Sequence, residues 1–133
     1  MGPQGTMPWM QHPSATNPDE ALDSLTQALR RFAAERDWSQ FHSPKNLACA
    51  LSVEAAELLE HFQWLTEQQS EQLPPEKHAA VAEELADVLL YLLQLADRLQ
   101  IDLVGAARQK LELNAARYPA ARSRGSSKKY SEL

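Results

Sequence analysis

Apolar residues recur at intervals of three and four along most of this chain, the spacing of amphipathic helices. Leu22, Leu25, Leu29 and Phe32 define a first helix, opening at Asn17 or Asp19 as cap and ending near Asp37. Ser43 before Pro44 starts a second, because proline at the first helical position sacrifices no hydrogen bond. It carries Leu51, Ala55, Leu58, Leu59 and Phe62 and runs to about Leu65, where the polar stretch from Thr66 to Pro75 breaks it. A third, from about Glu76 to Leu99, holds Val81, Leu85, Val88, Leu89, Leu92, Leu93 and Leu95. Asp102 caps a fourth, containing Leu103, Val104, Ala107, Leu111 and Asn114, which stops before Pro119. Strand-length alternation is missing, so the pattern predicts an all-α fold, a four-helix bundle.

Domain organisation follows from the same pattern. Residues 1–18, with Pro3, Pro8, Pro13 and Pro18 among Gly, Ser, Thr and Gln, read as a flexible arm. Residues 19–119 form one helical domain. Residues 120–133 form a basic tail, with Arg122, Arg124, Lys128 and Lys129, that is expected to lack fixed structure.

Composition narrows the function classes. A net charge of −5 is unsuited to tracking a nucleic acid polymer, which takes an excess of Lys and Arg, though a metal can hold a small nucleotide on an acidic protein. The single cysteine, Cys49, lies in a helical apolar pattern, reads as a buried structural thiol, and fits a reducing, cytoplasmic compartment. No apolar run approaches the length of a membrane span.

Against this background the acidic residues stand out. Glu54 and Glu57 are three apart on the second helix, and Glu84 and Asp87 are three apart on the third; residues so spaced share a face. Both pairs border the apolar stripe, with Glu60 extending the first into a ridge. Burying unpaired carboxylates costs several kcal/mol each, roughly, so such groups require cations. One pair alone is an ordinary solvated face. Two on consecutive helices predict an all-oxygen site for a hard divalent ion such as Mg²⁺, and with it phosphate chemistry.

Other groups have two readings each. Tyr91, four residues beyond Asp87, either reaches a phosphate or packs in the core. Lys110, Asn114 and Arg117 give one face two cations and an amide, either a phosphate clamp or a complement to the helix dipole. Trp38, Phe41, His42 and Trp64 could gather around a flat heterocycle, although Phe41 reads better as core.

The segments FAAERDWSQFHSPKNL, EAAELLEHFQW, EELADVLLYL, KLELNAARYP and SRGSSKKYSEL, in that order, resemble the all-α nucleoside triphosphate pyrophosphatases of the MazG-like group, in particular the dCTP pyrophosphatases. The resemblance covers about Leu22 to Leu133. It implies that the EXXE and EXXD metal motif falls on Glu54, Glu57, Glu84 and Asp87, with Glu83 outside it. It also implies that Trp38, His42 and Trp64 contact base and sugar, that Tyr91, Lys110 and Asn114 contact phosphates, and that Arg98 and Arg117 are further candidates. The implied reaction is Mg²⁺-dependent cleavage between the α and β phosphates of dCTP or a modified deoxycytidine triphosphate, with Glu54 or Glu57 acting on the water. Its implied role is cleansing of the nucleotide pool. The resemblance further implies a homotetramer built as a dimer of dimers, with the basic tail closing over an active site. Leu29 departs from it, standing where the animal dCTP pyrophosphatases have a histidine facing the base. Other readings are a related pyrophosphatase acting on a different nucleotide, and a noncatalytic helical module whose acidic ridges face partners or solvent.

Overall fold

Local capping decides where each helix begins. The computed structural model describes residues 17–133, so the expected arm lies almost wholly outside the described residues. Helix α1 spans Pro18–Glu35, with the Asn17 side chain accepting from the Asp19 amide at 3.0 Å. Helix α2 spans Pro44–Glu60, with Ser43 Oγ accepting from the Asn46 amide at 3.2 Å. Two short helices come after it, α3 Glu67–Glu71 and, much later, α6 Ala120–Ser123; between them lie α4 Pro75–Arg98 and α5 Leu103–Arg117. Asp102 caps α5 by accepting from the Gly105 amide at 3.1 Å. The described residues contain helices and turns only, in agreement with the all-α expectation.

Three boundaries differ from expectation. Helix α2 stops at Glu60 rather than near Leu65, because from His61 the backbone closes in tight turns, with the Phe62 amide on Leu59 O and the Leu65 amide on Phe62 O, each at 2.9 Å. The segment after Thr66 is not a plain break. Thr66 and Gln69 cap one another reciprocally, so a helical turn forms within it. The tail is also structured, with α6 and a 3₁₀ turn at Tyr130–Glu132; the Tyr130 ring meets Tyr118 edge-on at 6.0 Å and the Arg117 guanidinium at 5.0 Å.

Helix α4 is the central rod, packed along α2 and less extensively against α1, while α5 makes only slight contact with the others. Arg30 on α1 and Asp97 on α4 join the two helices through paired hydrogen bonds, Nε to Oδ2 at 2.9 Å and a second between the guanidinium and Oδ1. That pairing lowers the Asp97 pKa and raises that of Arg30. The buried apolar residues among those described are Ala33, Leu47, Val81, Leu93 and Ala96, with Leu47 the most enclosed. Cys49 is exposed, contrary to expectation: it is two residues beyond the buried Leu47, about 200° around the helix, and so faces away from the core. Phe41, expected in the core, is 59% exposed because it ends the Ser39–Phe41 turn outside the packed layer.

The end of α1 redirects the chain. Asp37 takes a left-handed φ of 54°, while the Trp38 amide donates back to Ala33 O at 2.9 Å and the Asp37 amide to Ala34 O at 3.2 Å. This closure folds the chain sharply over α1, bringing Trp38 onto Phe32 with ring centroids 5.6 Å apart. Gln100 ends α4 in the same way, with φ of 55° and the Ile101 amide on Ala96 O at 2.9 Å.

Candidate active site

The packing of α2 on α4 brings their acidic faces together. Carboxylate oxygens of Glu54, Glu84 and Asp87 all lie within 4.8 Å of one another. Oε2 of Glu54 and Oε2 of Glu84 are shut off from solvent and have no hydrogen-bond partner. Burial first, then the Glu57 carboxyl beside it, then Glu84 and the charge of Asp87, push the Glu54 pKa up to about 7. Glu57 therefore adjoins Glu54 while lying outside the three-oxygen cluster. His61 approaches from the end of α2, its Nε2 3.9 Å from Glu84 Oε1.

These residues fit a cation. Oxygens held close together, buried and unpartnered are costly unless protonated or neutralised by positive charge, and an all-carboxylate set suits a hard divalent ion. Glu54, Glu84 and Asp87 would hold it, with Glu57 placed to join. Glu60 and Glu83 are exposed and stand outside the cluster.

Asp87 also lines a cavity of about 400 Å³ between α1, the Trp38–His42 turn and α4. Leu25, Ala28, Leu29, Phe32 and Leu90 give it apolar walls, Trp38 and Tyr91 add aromatic ones, and His42 and Gln94 add polar ones. A charged rim of oxygens thus adjoins a pocket suited to a flat heterocycle. Arg98 lines a smaller neighbouring cavity of about 120 Å³ with Arg30 and Asp97.

Of the residues expected around a base and its phosphates, Trp38, His42 and Tyr91 meet at this cavity. Trp64 is 87% exposed in the turns that follow α2. Lys110 and Arg117 are exposed on α5 and Asn114 is half-buried there; α5 makes only slight contact with the other helices. Phe32, Gln94 and His61 stand at the site without having been expected there from sequence. For Gln94 a signal existed: it continues the row from Asp87 through Tyr91 at helical spacing.

An all-helical chain that aligns acidic oxygens from two neighbouring helices beside an aromatic pocket has the layout of a metal-dependent nucleotide hydrolase. Residues 49–133 match the MazG-like family. The chain is 46% identical to dCTP pyrophosphatase 1 of Mus musculus over 123 residues, 91% of this chain and 72% of that protein. It is also 46% identical to dCTP pyrophosphatase 1 of Homo sapiens over 119 residues, 88% of this chain and 70% of that protein. A crystal structure of a pyrophosphatase from Archaeoglobus fulgidus superposes with a TM-score of 0.69 at 40% identity, covering 81% of this chain and 97% of that one. The chain belongs to the MazG-like family.

Proposed function

We propose that this protein is a nucleoside triphosphate pyrophosphatase that hydrolyses dCTP, and modified deoxycytidine triphosphates, to the monophosphate and pyrophosphate. Support comes from relatives named dCTP pyrophosphatase 1 at 40–46% identity. The observation that carries the reading is the meeting of buried, unpartnered Glu54 and Glu84 oxygens with Asp87, itself on the wall of the aromatic cavity.

Mg²⁺ is the proposed cofactor, with Glu54, Glu57, Glu84 and Asp87 as its ligands. When bound, it would neutralise charge on the phosphate oxygens and favour attack by water. Trp38 stacks on the base with Phe32 supporting it edge-on, His42 and Tyr91 bound the sugar and phosphate side, and the apolar wall excludes bulk water. The water oxygen forms a bond to the α phosphorus, its proton passes to the Glu54 or Glu57 carboxylate, and the bond from the α phosphorus to the bridging oxygen breaks. Pyrophosphate leaves with that electron pair.

Lys110, Asn114 and Trp64 enter the proposal as substrate contacts completed by assembly. A homotetramer, a dimer of dimers, accounts for α5 standing away from the remaining helices and for the exposure of Val53 (56%), Leu59 (59%), Leu85 (52%) and Leu111 (68%). No helix among the described residues is long and apolar enough to cross a membrane; a cytoplasmic location and a role in nucleotide-pool sanitation complete the proposal.

Pyrophosphate release from a panel of dNTPs and NTPs, with and without Mg²⁺, tests this reading. Turnover that requires Mg²⁺ and is highest for dCTP is expected. Silence toward every triphosphate would discard the enzyme, and full activity in excess chelator would discard the metal.

A further inference from the structure

The cavity beside Asp87 is walled mostly by groups that treat all pyrimidines alike. Leu25, Leu29, Phe32 and Trp38 offer apolar and aromatic surface, which accepts any base by stacking. The edge of an enclosed base must still be paired, because donors and acceptors taken from water without partners are costly. Tyr91 and His42, placed toward the sugar and phosphate, would not tell one base edge from another even where they reached it, since a hydroxyl rotates and an imidazole changes tautomer to suit either kind.

Gln94 on α4 differs from both, because its amide is held one way round. Nε2 donates to the Leu90 carbonyl at 3.3 Å, and turning the amide over would set Oε1 against that carbonyl, oxygen against oxygen. The Gln94 side chain makes no other hydrogen bond among the described residues. It therefore presents a free acceptor, Oε1, beside a second Nε2 hydrogen, in a fixed order, at the cavity wall. Leu29, on the α1 side, has nothing to pair with.

We infer that Gln94 is a specificity-determining residue that reads the amino edge of a cytosine-type base, its Oε1 accepting from the exocyclic amine and its Nε2 donating to the adjacent ring nitrogen. Uracil and thymine reverse both positions: their exocyclic oxygen would meet Oε1, and their ring N–H would meet Nε2–H. The inference rests on the proposed nucleotide substrate and adds the base edge that is read and the residue that reads it.

The test is kcat/KM for dCTP and dUTP, with Mg²⁺, in wild type, Gln94→Met and Gln94→Leu. These substrates differ only along the edge in question, and the ratio within one preparation is insensitive to how much of the protein is folded. Wild type should favour dCTP by about 10-fold or more, and both variants should bring the ratio close to one through loss on dCTP, with dUTP changed by less than about twofold. A wild type that treats the two alike, variants that keep the preference, or equal losses on both substrates would overturn the inference. Failure of the underlying reading looks different: wild type would then release pyrophosphate from neither.

Discussion

Glu54→Gln should lower Mg²⁺-supported turnover by on the order of 10²- to 10³-fold while making the metal-free protein more resistant to heat at pH 8. The two effects share one origin. In the metal-free fold the Glu54 carboxyl is pushed up to about 7 from an ordinary value of 4.5, with burial the largest cause and Glu57 the next. A carboxyl raised in the native state holds its proton more tightly when folded. Its favourable contribution is therefore fully present below about 4.5 and is lost as pH rises through about 7. Glutamine keeps the shape and a hydrogen-bond donor and never ionises, so the variant should escape that loss. Adding Mg²⁺ should then raise the melting temperature of wild type more than that of the variant, because only wild type gains the full ligand set. Calorimetric melts at pH 5 and pH 8, with and without Mg²⁺, read all of this. A variant less stable than wild type in metal-free buffer at pH 8 would mean that the acidic cluster is not under electrostatic strain, and unaltered turnover would move the metal elsewhere.

Trp38→Ala should raise the KM for dCTP by roughly 10- to 100-fold with a smaller change in kcat, the scale expected when one base loses an aromatic platform. Trp38 packs edge-on against Phe32 at 5.6 Å and lines the cavity, so its ring completes a wall that apolar side chains on α1 begin. Trp38→Phe should recover most of the affinity, since a smaller ring still stacks. Steady-state kinetics on the three proteins decide the point. An unchanged KM in Trp38→Ala would remove this cavity from substrate binding and leave the acidic cluster without its neighbouring pocket.

The helices were legible because their punctuation is local. Ser43–Pro44, Asp102 and the apolar period each act within a turn or two, and the structure places α2, α4 and α5 accordingly. The same local logic, carried further, would have found α3, since Thr66 and Gln69 have capping-box spacing. What sequence alone could not supply was direction. Cys49 and Leu47 are close neighbours in one apolar run, yet one is exposed and the other buried, because only the partner helix decides which side of α2 becomes core. The acidic pairs were legible as pairs; that Glu54, Glu84 and Asp87 share one cluster while Glu57 stands at its margin depends on the angle at which α2 meets α4. The cavity was half legible. Trp38, His42 and Tyr91 declare themselves by chemistry and Gln94 is signalled only by its spacing from Asp87 and Tyr91, whereas Phe32 is one more position in the apolar period of α1 until the closure at Asp37 brings Trp38 onto it.

The central claim, that Glu54, Glu84 and Asp87 form a divalent cation site next to the nucleotide cavity, is most directly tested by anomalous diffraction from crystals grown with Mn²⁺, an oxygen-seeking stand-in for Mg²⁺. A peak within coordinating distance of those three carboxylates is the predicted result. An active preparation whose crystals place Mn²⁺ on other residues, with Glu54 and Glu84 turned away from it, would contradict the account.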